Sequence, residues 1–124
     1  MPAEPGLRSR RVATSIRERI TSLLSREVSD PSLADIVVTT VELPDDLSVA
    51  FVRVRLLVGG DDERARRAAV ASLARAGGRL RRGLGGALRL KRVPELRFAY
   101  DTGADAAQRV EDLLAEIALD PKGS

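Results

Sequence analysis

Residues 47–58, LSVAFVRVRLLV, alternate in a way that leaves little freedom: Ala50, Val52, Val54, Leu56 and Val58 share one face, while Phe51, Arg53, Arg55 and Leu57 share the other. A period of two over this run predicts a β-strand with one core face. Arg53 and Arg55 point away from that face, so the sheet containing this strand is covered on one side. The rest of the chain must supply neighbouring strands and a helical cover.

IVVTTVEL, residues 36–43, is β-branched and reaches the alternating run through Pro44-Asp45-Asp46, so the two segments read as a hairpin. A third strand follows in RVPELRFAYD. Pro94 is tolerated at its first residues, and Leu96, Phe98 and Tyr100 oppose Arg97. The cover is helical. Val12, Ile16, Ile20, Leu23, Leu24 and Val28 recur at helical spacing behind a Ser9 N-cap, and Ser29-Asp30-Pro31 stops the run. After Gly59-Gly60, DDERARRAAVASLARA opens with acids that suit a helix N-terminus, and Ala65, Ala69, Leu73 and Ala76 give it a small-residue face. Gly77-Gly78 then predicts a break, and Leu80, Leu84 and Leu88 predict a second short helix. Ala106, Val110, Leu113, Leu114 and Ile117 predict a last helix ending near Leu119.

The expected order is helix, strand, strand, helix, helix, strand, helix. It describes an α+β layer, three helices on one face of a three-stranded sheet, in the element order of a type-II KH domain with an added C-terminal helix. One domain is expected over 9–118, between flexible tails at 1–8 and 119–124.

Composition removes most catalytic designs. With Cys 0 and His 0 there is no thiol nucleophile, disulfide or thiolate metal site, and the commonest general base is missing. Asp61-Asp62-Glu63 and Pro44-Asp45-Asp46 sit where acids have ordinary work, at a helix start and in a turn, so no metal or other cofactor is expected. Neither a Walker A loop nor a dinucleotide fingerprint is present, and no enzyme is expected. No apolar run approaches the roughly 18 residues of a membrane span. The basic N-terminus lacks the apolar stretch of a secretory signal, so the expected location is the cytoplasm.

Charge carries the functional information. The net charge is only +3, but it is distributed in blocks. Residues 27–46 hold six acids and no base, residues 98–124 are acidic, and residues 75–97 hold eight bases against Glu95. A block containing Arg75, Arg79, Arg81, Arg82, Arg89, Lys91 and Arg92 repels itself unless something anionic offsets it, and guanidinium binds phosphate bidentately. Arg8, Arg10, Arg11, Arg17 and Arg19 extend the block if the first helix lies alongside. Aromatic content of 2% provides no base-stacking platform, so RNA contact would rest on backbone and shape. The candidate RNA-binding residues are Arg75, Ala76, Gly77, Gly78, Arg79, Arg81, Arg82, Arg89, Lys91 and Arg92. Gly83-Leu84-Gly85-Gly86 also fits the GXXG phosphate loop of KH modules as a string, but it falls inside a helix and reads better as packing glycines.

The segments Asp30-Pro31, PDDLSVAFVRV from Pro44, ARAGGRLRRGLGGALRLKRVPELRFAYD from Ala74 and RVEDLL from Arg109 together resemble the ribosome-binding factor A (RbfA) family over nearly the whole chain. The chain departs from that pattern at Ser32, Asp35, Pro44 and Gly103, outside the glycine and basic segments. The resemblance implies a type-II KH-like fold whose GXXG loop is replaced by an Ala-x-Gly kink, here Ala76, Gly77 and Gly78. It also implies a monomeric factor that binds the free 30S ribosomal subunit and 16S rRNA and assists late maturation, including 16S 5′-end processing and growth in the cold. From the residues alone, a KH-type regulator of messenger RNA and a protein–protein adaptor using the acidic 27–46 surface remain open.

Overall fold

The alternating run forms the middle of a three-stranded sheet ordered β1-β2-β3, with β1 at Ile36–Glu42, β2 at Val49–Leu56 and β3 at Glu95–Tyr100. In the computed structural model the described residues are 6–26 and 30–119, with backbone alone described at 104, 105, 108 and 119. β1 and β2 are antiparallel, and β2 and β3 are parallel. The connection from β2 to β3 therefore has to cross the sheet, and it does so through a long helix.

The hairpin follows its turn chemistry. Asp46 Oδ1 accepts from the Ser48 amide and hydroxyl at 3.0 and 2.7 Å, and Leu47 takes a left-handed φ of 57° while its amide bonds to the Pro44 carbonyl at 3.0 Å. One extra residue in β1 shifts the register between Val38 and Thr40. The Thr39 hydroxyl at this bulge reaches the Asp101 carboxylate at 2.6 Å and ties β1 to the chain just after β3.

Helix α1, Leu7–Arg26, and helix α2, Glu63–Ala87, cover one face. Ile16, Ile20 and Leu24 of α1 and Ala69, Leu73, Ala76, Leu80 and Leu84 of α2 meet Ile36, Val38, Ala50, Val52 and Val54 of the sheet in one buried core. Each large aliphatic side chain buried there contributes on the order of 1.5–3 kcal/mol. Leu96 and Phe98 are half-buried against this cluster, Tyr100 is half-buried with its hydroxyl accepting from the Leu56 amide at 3.0 Å, and Arg97 is exposed.

Four expectations are corrected. First, the break at Gly77-Gly78 does not divide two helices: α2 runs continuously for 25 residues. Each interior glycine costs a helix about 1 kcal/mol. Ala76, Leu80 and Leu84 nevertheless keep one buried face across the glycines, and that packing outweighs the local penalty. Second, Ser9 is not the N-cap. α1 begins at Leu7, and Ser9 is buried in its first turn with its hydroxyl donating to the Gly6 carbonyl at 2.8 Å and to Asp45 at 3.1 Å. The acceptor for this helix start comes from the hairpin turn, where Asp45 also takes the Gly6 amide at 2.8 Å. Third, Val58 is 72% exposed, because β1 begins opposite Leu56 and leaves residue 58 without a partner strand. Fourth, α3, Thr102–Leu119, does not join the other helices over the core: its large apolar side chains stay exposed. Val28 and the residues beyond 119 lie outside the described residues.

Candidate nucleic-acid interface

The basic segment is built on α2 and on the connection that leaves it. Asp62 caps the helix by accepting from the Arg64 amide at 2.9 Å, and Gly59, at φ 79°, makes the preceding turn. The helix ends where the Leu88 amide bonds to the Leu84 carbonyl at 2.8 Å. From there the chain runs back along α1 toward its N-terminus. Arg89 lines a small hollow with Arg11, Val12 and Ser15, while Lys91 and Arg92 line a neighbouring hollow of about 300 Å³ with Arg8 and Asp46-Leu47-Ser48; Leu90 borders both.

The close approach of the helices has a residue-level cause. A Cβ built on Gly83 would stand 2.7 Å from Leu23 Cδ1 and 2.9 Å from Cδ2, so glycine is what lets α1 and α2 meet at this crossing. Gly83 to Gly86 are therefore helical, and GLGG is not a loop.

The seven cations of the sequence block are all exposed but have different work. Arg81 Nε donates to the Pro94 carbonyl at 3.1 Å and a terminal guanidinium nitrogen donates to Val93 at 3.0 Å, which ties the 88–94 connection to α2 and seats buried Pro94 ahead of β3. Arg79 forms an ion pair with Asp30 at 3.6 Å, joining α2 to the short 3₁₀ turn at Pro31–Leu33. The Ser32 hydroxyl, its amide and then Arg79 hold the Asp30 carboxyl below its ordinary value against some desolvation. Arg75 donates to the buried Ser72 hydroxyl at 3.1 Å. Among the described residues no ion pair engages Arg82, Arg89, Lys91 or Arg92, nor Arg8 or Arg11.

Ala76 lies in the core, 3% exposed, and presents no surface to a ligand. Gly77 and Gly78 lie inside α2, where backbone amides serve the helix ladder rather than a phosphate. Apart from its own helix backbone and chain neighbours, nothing comes within 4 Å of a Cβ built on Gly77, whereas a Cβ built on Gly78 would stand 3.6 Å from a guanidinium nitrogen of Arg82. The structure thus moves the centre of the cationic surface toward Arg82, Arg89, Lys91 and Arg92 and adds Arg8 and Arg11. The sequence offered those two only conditionally, because the return of the 88–92 segment along α1 is a tertiary fact.

Three of the acids considered as metal ligands have structural work. Asp45 holds the start of α1, Asp46 closes the hairpin and Asp62 caps α2. Among the described residues no cluster of three or more His, Cys, Asp or Glu is placed to hold a metal ion, and no helix is long and apolar enough to cross a membrane.

Similar sequences and structures identify the family. The family model of ribosome-binding factor A matches residues 8–114. The ribosome-binding factor A of Sorangium cellulosum is 47% identical over 110 residues, 89% of this chain and 88% of that protein. That of Geobacter sulfurreducens is 40% identical over 117 residues, covering 94% and 96%. The crystal structure of ribosome-binding factor A from Thermus thermophilus superposes with a TM-score of 0.63 at 26% identity, covering 74% of this chain and 93% of that one. A Thermotoga maritima protein solved by NMR in solution gives 0.66 at 29% identity, covering 81% and 92%. On a match that spans α1 through most of α3, the chain belongs to the ribosome-binding factor A family.

Proposed function

We propose that this chain is a ribosome assembly factor that binds the free 30S subunit, with the cationic surface of α1, α2 and the 88–92 connection contacting 16S rRNA phosphates. The observation that carries this reading is the convergence of Arg8, Arg11, Arg89, Lys91 and Arg92 from two distant parts of the sequence around two adjoining hollows. The relatives are named ribosome-binding factors, which supports reading the polyanion as ribosomal RNA. The protein acts in the cytoplasm as a monomer, without a cofactor or a covalent step. Its binding energy selects one rRNA conformation and shifts the population toward it. That action assists late 16S maturation, including 5′-end processing, and counts most in the cold, where misfolded RNA escapes its traps slowly.

Sucrose-gradient sedimentation of a lysate at low and moderate salt tests this function. Co-migration with free 30S subunits, and not with 70S ribosomes or polysomes, is the expected result. A protein that stays at the top of the gradient even at low salt contradicts it, and competition by single-stranded messenger RNA as effective as that by 30S particles would favour a regulator of messenger RNA.

A further inference from the structure

α3 carries its apolar residues on the outside. Val110, Leu113, Leu114 and Ile117 recur at three-to-four spacing, which places them on one stripe of the helix, and each is 57–59% exposed. An amphipathic helix ordinarily turns such a stripe toward the core. Here the side toward the body is polar: Arg109 and Asp112 line a hollow of about 350 Å³ with Arg55, Leu56, Leu57, Gly60 and Asp61 at the end of β2. A helix of 18 residues with its apolar side in water is marginal on its own propensity, so the arrangement calls for a cover over the stripe.

The charges beside the stripe choose the cover. Glu111 borders it on one side, Glu116 together with Arg109 on the other, with both carboxylates exposed, and Arg109 is the only base between residues 98 and 121. Carboxylates at these positions repel nucleic-acid phosphate and anionic lipid headgroups. A second copy would set the same carboxylates against each other, and the stripe from 110 to 117 spans little more than one heptad, where a self-sufficient helical pair needs three to four. A segment with an apolar face and flanking Lys or Arg satisfies both the stripe and its rims. We infer that the outer face of α3 docks an amphipathic, Lys/Arg-rich helical segment of a partner protein, at a surface separate from the cationic one.

The test is fluorescence anisotropy of a labelled 18-residue helical peptide, with leucines on one face and lysines elsewhere, titrated with the full chain. Two control peptides are used, one with the same composition scrambled and one with glutamate in place of lysine. The lysine amphipathic peptide is expected to bind saturably and about ten-fold tighter than either control. Leu114→Gln with Ile117→Gln should weaken it about ten-fold, with far-UV circular dichroism confirming that helix content is retained. Glu111→Gln with Glu116→Gln, which leaves the apolar stripe intact, should weaken binding and flatten its salt dependence. Equal binding of all three peptides, no response to either double substitution, or a concentration-dependent dimer abolished by the Leu114 and Ile117 changes would overturn the inference. The assay contains no ribosomal particle, so it fails or succeeds independently of the small-subunit reading.

Discussion

Arg81 and Arg82 are neighbours in sequence and are expected to respond in opposite ways to replacement by alanine. Arg81→Ala removes the bonds to the Val93 and Pro94 carbonyls, one partly buried and one exposed. Hydrogen bonds from a charged donor contribute about 1.5–3 kcal/mol each when sheltered. Water can replace the exposed one, so the pair should be worth ~1–3 kcal/mol, or a melting point about 4–10 °C lower for a chain of this size. Arg82 makes no ion pair among the described residues, and its removal should change stability by no more than about 0.5 kcal/mol. Binding reverses the order. Arg82→Ala should reduce the slope of log affinity against log salt by about one phosphate contact, whereas Arg81→Ala should leave the slope unchanged and weaken binding only by loosening the connection that carries Arg89, Lys91 and Arg92. Thermal unfolding by circular dichroism and a salt series with 16S rRNA measure both quantities. An Arg81 variant that melts like the parent but loses salt slope would refute the division of labour.

Gly77→Ala should stabilise α2 by about 0.5–1 kcal/mol, since nothing lies near the new methyl, whereas Gly83→Ala should cost about 1–2 kcal/mol because the same gain in helix propensity is outweighed by overlap with Leu23; urea unfolding of both checks the contrast. Leu84→Ala, at a fully buried site between α2 and the sheet, should cost ~2–5 kcal/mol by the same assay. With no histidine, melting temperature should be flat from about pH 5 to pH 8. The Asp30 and Asp46 carboxyls, lowered from 3.8 chiefly by the Ser32 and Ser48 hydroxyls, contribute stability that is present above that value and lost as the pH falls through their folded-state pKa values, so a melting curve that declines only on the acid side is expected.

The parts of this fold that were legible in the sequence are those set by periodicity. Ala50, Val52 and Val54 fixed the core face of β2, and Ile16, Ile20 and Leu24 fixed that of α1, because a one-residue slip would have exposed each set. Local chemistry misled where tertiary packing decided. Gly77 and Gly78 look like a helix break, yet the buried leucines on either side carry α2 through them. Ser9 looks like a cap, yet the acceptor arrives from Asp45, more than thirty residues away. For the candidate site, the sequence identified the cations but not their duties. Arg81 is absorbed by two backbone carbonyls and Arg79 by Asp30, while Arg8 and Arg11 join Arg89, Lys91 and Arg92 only because the chain doubles back along α1. A charge count reports how many cations a segment has, and the hydrogen-bond partners report how many are left for a ligand.

The most direct measurement of the central claim is the affinity for purified free 30S subunits across a salt series, for the parent chain and for Arg11→Glu/Arg89→Glu/Arg92→Glu. The parent should bind with an affinity that falls steeply with salt. The variant should melt at the parent temperature, bind far more weakly and show a slope shallower by about three phosphate contacts. Unchanged affinity and slope in a folded variant would contradict the assignment of this surface to rRNA.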